Sequence, residues 1–207
     1  MSFDPSTLLV LVTVIISFCA FQDRRILSQL ILSPVAVVHH REWYRVITHA
    51  FIHADWMHLL FNMIALWSFG RVVLIYFGYI SANANLYFFL MYFLGIIVAS
   101  IHDLVKQKDN PNFFSLGASG AVSAVVFSAI FFDPWNLIYI FFIPCPGIVF
   151  GALYLAYSSY MAKKSGDNIN HNAHFYGSVL GFIFPLLMNP YSIRIFIEQL
   201  LHPHFLR

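Results

Sequence analysis

Ser119 stands in the stretch Gly117-Ala118-Ser119-Gly120, at the mouth of an apolar run that reaches Phe132. His174 stands in Ala173-His174-Phe175-Tyr176-Gly177, inside a second apolar stretch. A serine hydroxyl becomes a useful nucleophile when an adjacent base takes its proton, and imidazole suits that task near neutral pH. The pair could do such chemistry if the fold brings the two side chains together. His58 and Asn62 lie four residues apart, hence on one helical face, one turn from each other.

Structural roles compete at each of these positions. A glycine-flanked serine at a helix start is commonly an N-cap. A single histidine inside an apolar segment can bond a neighbouring carbonyl, and His58 with Asn62 could clasp two helices together. Metal chemistry finds little support. His39, His40, His49, His53, His202 and His204 lack a carboxylate or cysteine constellation, and His171 with His174 makes an i, i+3 pair without a third ligand. Cys19 and Cys145 have neither metal-ligand nor disulfide spacing. No metal and no cofactor are expected.

The elements that must position these groups are membrane helices. Hydrophobic residues make up 60% of the 207-residue chain and charged residues only 10%, where soluble domains average about 25% charged. The scattered net charge of +2 does not suit a nucleic-acid partner. Charge-free windows mark six spans, at about 6–22, 56–77, 86–104, 118–132, 146–162 and 171–188. Such segments can cross a bilayer only as helices, because hydrocarbon satisfies no backbone group. The first lacks a basic leader and a small-residue cleavage site, so a retained span is expected rather than a signal peptide. No repeat or linker divides residues 1–207, so the fold class is a single all-α polytopic bundle. Residues 23–55, rich in Trp, Tyr, His and Arg, are expected to form an interfacial loop in the headgroup layer. The spans are read as free of Asp and Glu, with Asp103 taken as a bounding charge.

The fourth span is short. Ser119 to Phe132 gives about 21 Å of helix, and a hydrocarbon core is about 30 Å thick. The preceding loop must therefore dip into the protein, which is tolerated where protein buries it or a water-filled cavity is lined by it. Ser119, His174, His58 and Asn62 all fall near the starts of even-numbered spans, so an up-and-down topology brings them to similar depth. Gly120, Ala124 and Ser128 recur at intervals of four, as do Ala173, Gly177 and Gly181. Two such small faces can pack backbone to backbone, which would set Ser119 and His174 at their edges.

These residues resemble the rhomboid family of intramembrane serine proteases, from about residue 40 to 182. "WYRVITHAFIHADWMHLLFN" (43–62) is similar to the family's first loop and second span, ending in His-x-x-x-Asn. "GASG" (117–120) is similar to its nucleophile motif, and "AHFYGSVLG" (173–181) to its sixth span. The resemblance implies a six-span bundle of the minimal bacterial type, with Ser119 as nucleophile and His174 as general base and then general acid. His58, Asn62 and the Ser119 backbone N–H would form the oxyanion hole, and Gly117, Gly120, Gly177, Gly181 and Arg45 would support the architecture. It further implies transmembrane protein substrates with easily unwound helices and a small residue at the cleaved bond. The fifth span would act as a gate, in a bacterial inner membrane, with the site opening outwards. Oligomeric state stays open.

Three positions depart from the family pattern. Tyr44 precedes Arg45 where tryptophan is usual, Leu74 replaces a common glutamate, and Ser123 occupies the place of an aromatic that stacks on the catalytic histidine. The family orientation also leaves three Lys or Arg residues (Arg71, Arg194, Arg207) inside. It puts eight outside (Arg24, Arg25, Arg41, Arg45, Lys106, Lys108, Lys163, Lys164), against the positive-inside tendency. Two rival readings stand beside this one. A non-catalytic rhomboid-like protein binding membrane clients would be favoured by loss of a motif residue. A proton-relaying transporter would want acidic residues in the spans and an inverted repeat.

Overall fold

Asp4 starts the first helix by accepting from the backbone N–H of Thr7 at 3.0 Å, and Pro5 supplies a preset φ at the first position. That helix, α1 (Pro5–Gln22), leads into three short ones: α2 (Arg24–Leu30), α3 (Pro34–His40) and α4 (Arg45–Thr48), followed by a 3₁₀ turn over His49–Phe51. Asp55 caps α5 (Trp56–Ile80), which is followed by α6 (Ala84–Lys106) and α7 (Ser119–Phe132). Strands β1 (Leu137–Ile140) and β2 (Ile143–Pro146) precede α8 (Gly147–Met161), α9 (His171–Met188) and α10 (Ser192–Leu201). This computed structural model describes residues 4–140, 142–164 and 169–203. Asp167, His204 and Arg207 lie outside the described residues.

A helix is found at each of the six apolar segments. Three of them, α1, α5 and α6, are long and apolar enough to cross a membrane. Helices α7 and α8 are apolar but shorter, and α9 meets α10 at a bend of 119°. The bundle is built around α7, of whose 14 residues only Ser119 and Val126 are not buried. A helix apolar all round belongs at the centre of a membrane bundle, and the small side chains of α7 let its neighbours come close. Leu66, Phe77, Phe88, Met91 and Tyr92 of α5 and α6 pack around it, each fully buried. Outer faces carry exposed apolar residues such as Ile15, Phe61, Ile64 and Trp67, as a lipid-facing surface requires.

Two expectations are corrected. The bundle is not purely α: β1 and β2 form an antiparallel hairpin, with Leu137 opposite Pro146 and Ile140 opposite Ile143. Residues 23–55 carry the short helices α2, α3 and α4, the first two capped by Asp23 and Ser33. The second correction concerns charge. Asp103 lies within α6, 3% exposed, and so a membrane-spanning helix does contain a buried acid. It persists there because Asn170 at the start of α9 donates to its Oδ2 at 2.5 Å and His102 Nδ1 lies 3.4 Å from Oδ1, the pairing a buried carboxylate needs.

Candidate active site

The strand of chain leading to Ser119 is fixed from both sides. Leu32 and Ser115 exchange backbone hydrogen bonds of 3.0 and 3.1 Å, and the Gly117 N–H donates to the carbonyl of His49 at 2.9 Å. Gly117 adopts φ +110°, a left-handed conformation that favours glycine. A Cβ there would also lie 2.7 Å from the ring of His58. The backbone calls for glycine here, and any side chain would also have to displace the His58 ring.

His53 holds the next residue. The Ser17 hydroxyl donates to the carbonyl of Phe51 at 2.9 Å, which leaves its oxygen to accept from His53 Nδ1 at 3.0 Å. Nε2 is then the free acceptor, and the Ala118 N–H points to it at 3.4 Å. One neutral tautomer satisfies the whole series. Ala118 is the N-cap of α7 and offers no side-chain bond, and Ser119 is the first residue inside the helix. The N-cap role for Ser119 is therefore overturned. Its hydroxyl is not spent on capping, and the first N–H groups of α7 have no side-chain cap.

Asn170 fixes the start of α9 as its N-cap. Its Oδ1 accepts from the Ala173 N–H at 3.0 Å, while its Nδ2 donates to Asp103 and, at 3.1 Å, to Ser115 Oγ. One side chain thus ties the helix bearing His174 to α6 and to the chain approaching Ser119. Farther along, Gly177 lies against the backbone of Gly120, and Gly181 against that of Ala124. The two small faces pack as their spacing suggests.

Ser119 and His174, each partly exposed, line a cavity of about 1010 Å³ together with His58, Asn62 and Asp103. It lies where α5 and α9 begin and α6 ends. Both also line a smaller cavity of about 180 Å³ between α5, α7 and α8. Asn62 is buried, and its Nδ2 donates to the His58 carbonyl at 2.8 Å. An amide carries two N–H donors, so one remains to face the cavity. Among the described residues no group of His, Cys, Asp and Glu could hold a metal ion.

A family model described as "Rhomboid domain" matches residues 40–191. The chain belongs to the rhomboid family. "RHOMBOID-like protein 12, mitochondrial" of Arabidopsis thaliana is 29% identical over 155 residues, covering 67% of this chain and 44% of that relative. "Rhomboid protein 1, mitochondrial" of Saccharomyces cerevisiae is 31% identical over 147 residues, 67% of this chain and 40% of the relative. "Rhomboid-like protein 11, chloroplastic" of Arabidopsis thaliana is 27% identical over 161 residues, 72% of this chain and 54% of the relative. The chain thus spans about half the length of these relatives. Family and apolar helices together make this rhomboid an integral membrane protein. The relatives carry organellar names, so they lend no support to a bacterial inner membrane.

Arg45 and two of the departing positions, Leu74 and Ser123, have defined settings in the structure. Arg45 donates to the carbonyls of Ser28 and Ile31 at 2.7 and 2.9 Å and to Glu42 at 2.5 Å, stapling α4 to the end of α2. The hydrogen bond from Arg45 holds the Glu42 carboxyl below its ordinary value. Leu74 packs, partly buried, against the core. Ser123 Oγ lies 3.1 Å from the hydroxyl of Tyr154 on α8, and the Tyr154 ring stacks on His174 with centroids 6.0 Å apart. Asp103, Asn170, His53 and Tyr154 do not stand out in the sequence as parts of this site. Only Asn170 carried a local signal, an Asn just before a helical segment.

Acid should loosen this assembly. Burial pushes His49 down to about 4 and His53 down to about 3, the latter also through neighbouring His58. Both are neutral when folded and regain an ordinary pKa of about 6.5 when unfolded. The unfolded chain therefore binds more protons as pH falls below about 6.5, and each histidine removes about 1.4 kcal/mol of stability per pH unit until its folded value is reached. We expect the thermal midpoint to fall between pH 7 and pH 4.5. His53→Gln, which cannot titrate, should show a shallower slope; an equal slope would remove His53 from the account.

Proposed function

We propose that this rhomboid is an intramembrane serine endopeptidase with six spans, cutting peptide bonds in or near transmembrane segments of other membrane proteins. Ser119 Oγ attacks the scissile carbonyl while His174 takes its proton; His174 then returns the proton to the departing amine. Water from the larger cavity hydrolyses the acyl-enzyme by the same steps in reverse roles. Charge developing on the carbonyl oxygen would be met by the His58 side chain, the remaining N–H of Asn62 and the backbone N–H of Ser119, at the positive end of α7.

The observation that supports this reading is that Ser119 and His174 line the same two cavities, the larger of them polar, next to the Gly120–Gly177 contact of α7 with α9. Substrates would be single helices that unwind readily, because a carbonyl engaged within a helix cannot be attacked. The cavity would open on the membrane face where α5 and α9 begin.

The test uses purified protein in detergent micelles, given a tagged transmembrane substrate and, separately, a fluorophosphonate probe. Time-dependent cleavage is expected, together with an adduct on the peptide containing Ser119. Retention of the substrate without cleavage, and no adduct on folded protein, would replace this reading with that of a client-binding rhomboid-like protein.

A further inference from the structure

Helix α8 buries only Gly147, Gly151 and Ser158 of its 15 residues. Yet it sends one side chain to the centre of the site. The Tyr154 ring lies over the imidazole of His174, with centroids 6.0 Å apart and planes 24° from parallel, an offset stack. Phe150, one turn back on α8, stacks on the same ring at 5.5 Å, and Phe127 of α7 borders it at 5.8 Å. The Tyr154 hydroxyl is 3.1 Å from Ser123 Oγ, one turn beyond Ser119 on α7. His171 meets the imidazole edge-on, at 6.1 Å and 80°.

An imidazole turns about two side-chain torsions, and only one ring plane points a given nitrogen at a hydroxyl. A face-on ring restricts rotation of that plane, and it does so only if it is itself held. Here the hydroxyl bond to Ser123 and the two flanking phenylalanines hold it. Resting on the protease reading above, we propose that Tyr154, anchored by Ser123, is the positioning residue that sets the imidazole plane of His174. Alignment of the dyad then depends on α8 being seated against α7. The loosely packed helix is part of the catalytic assembly, not only part of its wall.

A plug role is the competing account: Tyr154 lines the smaller cavity and could merely obstruct it. A small fluorophosphonate separates the two, because it reports the reactivity of Ser119 without requiring a helix to enter. Labelling rate and thermal midpoint are measured for the wild type, Tyr154→Phe, Tyr154→Leu, Ser123→Ala and the double variant Tyr154→Leu/Ser123→Tyr. Tyr154→Leu is expected to slow labelling about tenfold, and Tyr154→Phe and Ser123→Ala about threefold, from losing the stack and its anchor respectively. The double variant, which returns a ring to the same slot from α7, is expected to recover most of the rate. Labelling at the wild-type rate in Tyr154→Leu, or faster labelling and cleavage, would overturn the positioning role and leave the protease reading standing. Should Tyr154→Leu fail to fold, unchanged rates in both Tyr154→Phe and Ser123→Ala would overturn it equally. A wild type that never labels at Ser119 removes the protease reading itself.

Discussion

Ser119→Ala is expected to reduce cleavage of a transmembrane substrate to background, a loss on the order of 10⁴-fold or more. His174→Ala should do the same. Alanine at 119 leaves no atom to form the acyl bond, and alanine at 174 leaves the hydroxyl as a poor nucleophile and the amine without a proton donor. On the proposed mechanism the two residues act as one unit, so the double variant should be no slower than either single one. Both side chains are partly exposed to the cavity, and neither caps its helix. Their removal should therefore leave the thermal midpoint within a few degrees of the wild type. Initial rates and thermal melts on the same preparations check this. Full activity in Ser119→Ala would transfer the chemistry to another nucleophile, and a collapse of the melt would make the loss a folding effect.

The parts of the fold written in local pattern were legible. Helix α7 begins at Ser119 and ends at Phe132 because a glycine-rich turn precedes the apolar run and Asp133 follows it, and α9 covers the segment expected of it. The contact between these helices was readable too, since its small residues recur every four positions. What failed to show was everything fixed by tertiary pairing. Asp103 looked like the edge of a span because an acid is costly in hydrocarbon. It lies inside because Asn170, 67 residues on, answers it. The run Leu137–Pro146 is apolar without clear period, so a hairpin could not be told from the lip of a span. Ser123 read as the loss of an aromatic. The ring that stacks on His174 comes instead from Tyr154, 31 residues away, and nothing in the sequence of α8 says which face it turns to α9.

Among the described glycines, those of α9 that meet α7 should be the most sensitive to one added methyl group. At Gly181 a Cβ would overlap the carbonyl oxygen, Cα and C of Ala124, and at Gly177 it would overlap the backbone of Gly120. Backbone atoms cannot rotate aside as a side-chain end can, so α9 has to move away from α7. Gly181→Ala and Gly177→Ala should each cost about 1–3 kcal/mol of stability. Cleavage should suffer more than the melt. A displacement of about 1 Å between a nucleophile and its base can cost about 10²-fold in rate, and His174 is one turn from Gly177. Gly78→Ala is the control: that glycine, also helical, has nothing within 4 Å of its would-be Cβ, and alanine there should be neutral or stabilise by up to about 1 kcal/mol. Thermal midpoints and single-turnover rates of the three variants distinguish tight packing from general intolerance of substitution. If Gly181→Ala melts and cleaves like Gly78→Ala, the dyad does not depend on the α7–α9 contact.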